Sequence, residues 1–205
     1  MKEETKIMLS DRELEIVQDC NWILTKQQII AKLCALFNQQ VRVIQQQIET
    51  AGWQMPEALL AAVPKISRGE NYLGMPWLTL DYPAVFGKQD VFALRTMFWW
   101  GNFVSVTIHL SGTYRSFLRE LATIDFKQQE PELFICVNSN EWQHHFEPDN
   151  YISLKDCDSE TVQHIIATSS FVKLATKIEL EEWNNLTNHL LVAYKKMIRL
   201  LKVAS

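Results

Sequence analysis

Apolar residues recur at three- and four-residue steps in two stretches of the chain, and each stretch predicts a long amphipathic helix. The first holds Ile29, Ile30, Leu33, Leu36, Phe37, Val41, Ile44 and Ile48, and places a helix over residues 26–51. Thr25-Lys26-Gln27-Gln28 supplies its capping signal and Gly52 its stop. Its glutamines (Gln39, Gln40, Gln45, Gln46, Gln47) form the expected solvated face. The second stretch holds Trp183, Leu186, Leu190, Tyr194, Met197, Ile198 and Leu201, and places a helix over residues 178–202. It starts near Thr176, where Thr176-Lys177-Ile178-Glu179 fits a capping box. Glu179, Glu181 and Glu182 early, with Lys195, Lys196, Arg199 and Lys202 late, complement the helix dipole.

Shorter helices follow from local signals. Ser10 and Glu13 form a capping box ahead of Leu14, Ile16 and Val17. Pro56 opens a helix over residues 57–63 that ends before Pro64. Ser111 or Thr113 caps a helix to about Thr123, with Phe117, Leu118 and Leu121 inward. Asp158 or Ser159 caps another to about Ala167. Residues 133–137 and 151–155 read as strands. Residues 65–87 carry Gly69, Gly74, Pro76, Pro83 and Gly87 and read as an ordered loop, with a short strand at 77–80 and aromatics that pin it down.

Residues 91–98 and 103–110 alternate with period two and form an aromatic hairpin. Even positions (Phe92, Leu94, Phe98, Val104, Val106, Ile108, Leu110) are apolar apart from Thr96 and face the core. Directly opposed residues share a face, so even must pair with even. A two-residue turn would mix the sets. A three-residue turn, Trp100-Gly101-Asn102, pairs Trp99 with Phe103 and keeps them apart, with Asn102 as the left-handed residue. The whole is an α+β fold in one domain over residues 1–205. A small, largely antiparallel sheet with the hairpin at its centre is covered by the long N-terminal and C-terminal helices.

The odd face does not explain itself as core. The register puts Arg95 opposite Thr107 and diagonal to His109, rimmed by Trp99, Phe103 and Met97. So much aromatic area needs a cover. The candidates are residues 65–87, a second subunit or a ligand. Arg95, Thr107, His109, Trp99, Tyr72 and Asp81 are therefore the expected ligand-binding residues, and Trp99, Trp100 and Phe103 the expected interface. Asp81 or Glu70 would pair a buried Arg95.

Composition and charge narrow this further. With 205 residues, 47% hydrophobic, the chain needs no metal or disulfide staple. A formal charge of −4 and no basic stripe give no drive toward nucleic acid. There is no apolar run long enough for a membrane span, and the charged first twelve residues lack a signal-peptide core. Cys20, Cys34, Cys136 and Cys157 match no zinc or disulfide framework, so a reducing cytoplasm is the expected location.

Catalytic signals are weak. Glu141, His144, His145 and Glu147 cluster in a polar loop over residues 138–150, but adjacent histidines in extended chain point apart and make a poor chelate. No metal or cofactor is expected. Cys136 and Cys157 lack an activating motif. Ser111-Gly112-Thr113 is turn and cap chemistry rather than a phosphate loop. No motif assigns an enzyme activity. The leading expectation is a non-enzymatic interaction protein that self-associates as a homodimer. The alternative is a small-molecule binder or enzyme with a pocket over Arg95, Thr107 and His109.

Overall fold

The computed structural model describes residues 7–118 and 132–202. Seven strands form one antiparallel sheet: β1 (Lys65–Tyr72), β2 (Met75–Phe86), β3 (Val91–Trp99), β4 (Phe103–Ser111), β5 (Phe134–Cys136), β6 (Tyr151–Ser153) and β7 (Phe171–Glu179). Their spatial order is β1-β2-β3-β4-β7-β5-β6. The helices are α1 (Asp11–Gln18), α2 (Cys20–Ala51), α3 (Glu57–Leu60), α4 (Ser159–Thr168) and α5 (Leu186–Lys202). Among the described residues no helix is long and apolar enough to cross a membrane.

The β3–β4 hairpin has the register that pairing parity demands, from Trp99 opposite Phe103 to Arg95 opposite Thr107 and Ala93 opposite His109. Its turn differs in one residue. Gly101, at φ 70°, takes the left-handed conformation. Asn102 donates its backbone N–H to Trp99 O at 3.1 Å, closing a turn whose third residue needs positive φ. The even face packs as expected. Phe92, Leu94, Val106 and Ile108 join Leu33, Phe37 and Ile44 of α2 and Leu190, Met197 and Leu201 of α5 in one core. Thr96, the polar exception, shares a 2.7 Å hydrogen bond with the buried Tyr194 hydroxyl.

Several expectations change. α2 begins at Cys20, not Thr25, because Asp19 accepts the Asn21 N–H and the helix runs through Thr25 unbroken. α3 is shorter than expected, with Pro56 as its cap residue. Residues 112–118 form a 3₁₀ helix rather than the start of an α-helix, and the remainder of that expected helix, including Leu121, lies outside the described residues. Gln40 is not solvated: it lies in the buried row Leu33–Phe37–Gln40–Ile44–Ile48, 1% exposed. Its Oε1 has no hydrogen-bond partner. Gln40→Leu is therefore expected to raise stability by about 1 kcal/mol in urea unfolding. A loss would show that its amide NH₂ makes a contact worth more than the unpaired oxygen costs.

Two strands replace the expected loop at 65–87. Leu73 and Gly74, with φ of 49° and 83°, make a two-residue hairpin turn between β1 and β2. The prolines and glycines that suggested a loop occupy tolerant positions. Pro83 sits in the bulge between Asp81 and Ala84, and Gly69 lies opposite Trp77, whose indole covers the place a Cβ would take. β7 replaces the expected start of the last helix. Val172, Leu174, Thr176 and Ile178 alternate onto the core side and pair with β4, so the helix proper begins at Leu186.

Candidate functional site

The cover over the odd face is the loop 137–150 between β5 and β6, and it covers half of that face. Residues 65–87 lie beside the hairpin in the sheet, not over it. The loop is organised by its own asparagines. Asn138 Oδ1 accepts the Asn140 N–H at 2.8 Å, and Asn140 Oδ1 accepts the Trp142 N–H at 3.0 Å. Asn150, fully buried, donates to His145 O. Phe146 plugs the loop onto the sheet, stacked on Tyr151 at 4.7 Å and edge-on to Phe103 and Phe134.

A chain of ionisable groups lies under this loop. Lys173 on β7 is 1% exposed. It donates to Glu141 O at 3.0 Å and to Gln143 O, and sits over the Tyr151 ring. Burial, with Arg95 adding to it, pulls its ammonium down to about 8, against the opposing influence of Cys136 and Glu141. His109 Nε2 lies 2.9 Å from Glu141 Oε2. Burial first, then the Lys173 and Arg95 cations, push this imidazole down to about 3. His144, on the loop, is held well below the ordinary histidine range by the same causes in the same order.

Arg95 joins the covered half to the open half. Its Nε and Nη2 donate to the two Asp81 oxygens at 2.6 and 3.0 Å, and Nη1 lies 3.3 Å from His144 Nε2. An arginine can only donate, so His144 accepts here through Nε2 as the neutral Nδ1–H tautomer. Asp81 reaches Arg95 as its cross-strand neighbour, while Glu70 pairs Lys26 instead. The Tyr72 hydroxyl accepts the His144 and His145 N–H groups at 2.6 and 3.2 Å and donates to Gln143 Oε1. It thus ties β1 to the loop.

Beyond the loop the odd face of β1–β3 stays open as a groove of about 600 Å³. Tyr72, Trp77, Phe86, Met97 and Trp142 give it apolar walls. Asp81, Arg95, Thr79 and Ser67 lie on its floor, with Lys65 and His144 at its sides. Of the ligand residues expected from the sequence, Arg95, Asp81 and Tyr72 meet in this groove. Thr107 and His109 are buried under the loop, on the far side of Arg95. Trp99 is buried behind Tyr72, donating its indole N–H to Tyr72 O at 3.1 Å. Trp99 and Phe103 pack together within the chain, with centroids 5.3 Å apart, and Trp100 packs on Phe98. Trp99 and Phe103 are thus buried within the chain, and Trp100 is half-buried.

The reactive side chains near the groove are already engaged. The Cys136 thiol is buried against Asn150 Oδ1, and burial raises it. The His144 lone pair is occupied by Arg95. His144 and His145 diverge, the second lying 3.8 Å from Asp149. Among the described residues no three His, Cys, Asp or Glu side chains gather as a metal-ligand set. Sequence reasoning passed over Lys173, Tyr151 and Trp142. The first two become visible only once residues 171–179 are read as a strand that brings Lys173 beside His109. No protein-family model, curated protein or solved structure matches this chain.

Proposed function

We propose that the chain is a small-molecule-binding protein whose ligand is a flat, ring-bearing carboxylic acid seated in the groove over β1–β3. The observation that carries this reading is one arginine at the floor of a mostly apolar, aromatic-walled groove. The volume of about 600 Å³ lies in the range of ligand pockets. Trp77, Phe86 and Trp142 offer ring faces for stacking. Asp81 and His144 take three of the five Arg95 N–H groups, which leaves one on each terminal nitrogen for a further acceptor. Both Asp81 oxygens are already engaged, so the groove favours an anion over a cation. Lys65 at the rim adds to that preference.

Tryptophan fluorescence titrated with indole-3-carboxylate tests the reading, with the uncharged amide of the same ring as comparison. The carboxylate is expected to give a saturable change and the amide a much weaker one. Trp142 is 47% exposed, so Trp142→Ala leaves the fold intact and is expected to weaken binding by about tenfold. Equal binding of the amide, or no saturable change up to roughly millimolar probe, would defeat the reading.

A further inference from the structure

The stripe that binds α2 to the body does not stop where the body does. Among the described residues, 7–25 are all exposed, and burial begins only near Lys26, which pairs Glu70 on β1. Yet this arm is apolar. Ile7, Leu14, Val17, Trp22, Ile23 and Leu24 are between 46% and 95% exposed. With their apolar neighbours in the arm they leave roughly 1,000 Å² exposed around its helices, of which one partner can cover a part, the scale of a modest interface. The arm is also well formed. α1 has both halves of its capping box, Ser10 with Glu13, and Asp19 caps α2.

We infer that the arm, α1 and the first turns of α2, is a self-association surface, and that its occupant is the same arm of a second copy. Charge selects this occupant. α1 is acidic, with Asp11, Glu13 and Glu15 against Arg12 alone, which disfavours anionic membranes and nucleic acid. The following segment of α2, residues 20–33, carries only cations: Lys26, which is taken by Glu70, and the exposed Lys32. An antiparallel pairing about a twofold axis near Trp22 sets the acidic α1 of each copy along residues 28–33 of the other, with Asp11 facing the exposed Lys32. It also continues the Ile29 and Ile30 stripe into a buried seam. Such a contact is isologous and closes at two copies.

Sedimentation equilibrium of the full chain tests this together with a cross-link. Wild type at about 100 µM is expected to be dimeric. V17E/W22E is expected to have half that mass with an unchanged circular dichroism spectrum, because neither side chain is buried in the chain, and a melting temperature that no longer depends on protein concentration. Cys20 is exposed and unpaired and falls beside the proposed axis, so diamide should convert the wild type to a reducible covalent dimer while Cys20→Ser remains uncross-linked. A monomeric wild type overturns the inference. So does a dimer that persists in V17E/W22E, or a monomer that instead floats with vesicles of zwitterionic phospholipid. None of these outcomes bears on ligand binding in the groove.

Discussion

Lowering the pH from 7.5 to 5 is expected to remove about 2 kcal/mol of stability through His109 alone, with His144 acting in the same direction. His109 is held down to about 3 in the folded chain, against an ordinary value of 6.5. Below pH 6.5 the unfolded chain binds this proton and the folded chain does not. The stabilisation is thus complete above pH 6.5 and is lost as the pH falls from 6.5 toward 3, at about 1.4 kcal/mol per pH unit once the unfolded histidine is charged. Lys173 has the same sign in a higher window: its stability cost is absent above 10.5 and grows as the pH falls toward 8. Urea midpoints measured between pH 7.5 and 5 check the histidine effect. His109→Gln, which keeps a donor for Glu141 but cannot titrate, should flatten the slope. A wild-type midpoint that stays level over this range would refute the account. Because protonated His144 would face Arg95 as a second cation, the loop 137–150 should lose amide protection before the sheet does.

Asp81→Ala is expected to cost about 3 kcal/mol, the second large effect. Asp81 and Arg95 are both mostly buried, with side chains 5% and 16% exposed. Removing the carboxylate leaves a mostly buried guanidinium beside His144 and the Phe86 ring without its anionic partner. Adding Arg95→Met should recover most of the loss, since an apolar chain of similar length fits beside Met97 and Phe86. Chemical denaturation of the two single variants and the double variant gives the coupling. If the losses simply add, Asp81 and Arg95 do not act as a coupled pair.

The hairpin and its register were legible because parity is a strict rule: a one-residue slip would have exposed Phe92, Leu94 and Val106 together. The long helices were legible from their periodicity, the start of α1 from Ser10 and Glu13 and the stop of α2 from Gly52. What escaped were strands whose signals belonged to their partners. Gly69 is tolerable in β1 because Trp77 of β2 fills its place. Pro83 is tolerable because the bulge needs no N–H there. In β7, Thr176 and Glu179 imitated a helix cap, and Lys173 gave no sign that two carbonyls of the loop would satisfy it. The candidate site was half legible for the same reason. Arg95 and Asp81 follow from strand pairing, but the wall of Trp142 and His144 comes from a loop whose path depends on contacts distant in sequence.

The seven-stranded sheet is open, so it has two edges, and each is unsuited to growth. At one, β1 shifts register between Gly69 and Tyr72 and carries exposed Lys65, Arg68 and Glu70. At the other, β6 is three residues long. Among the described residues, neither edge offers an incoming strand an extended, neutral row of free amides and carbonyls. Partial unfolding that spares these edges should therefore leave the protein soluble, and fibrillar aggregation would have to begin with β1 detaching to uncover β2, whose run from Trp77 to Asp81 precedes the bulge.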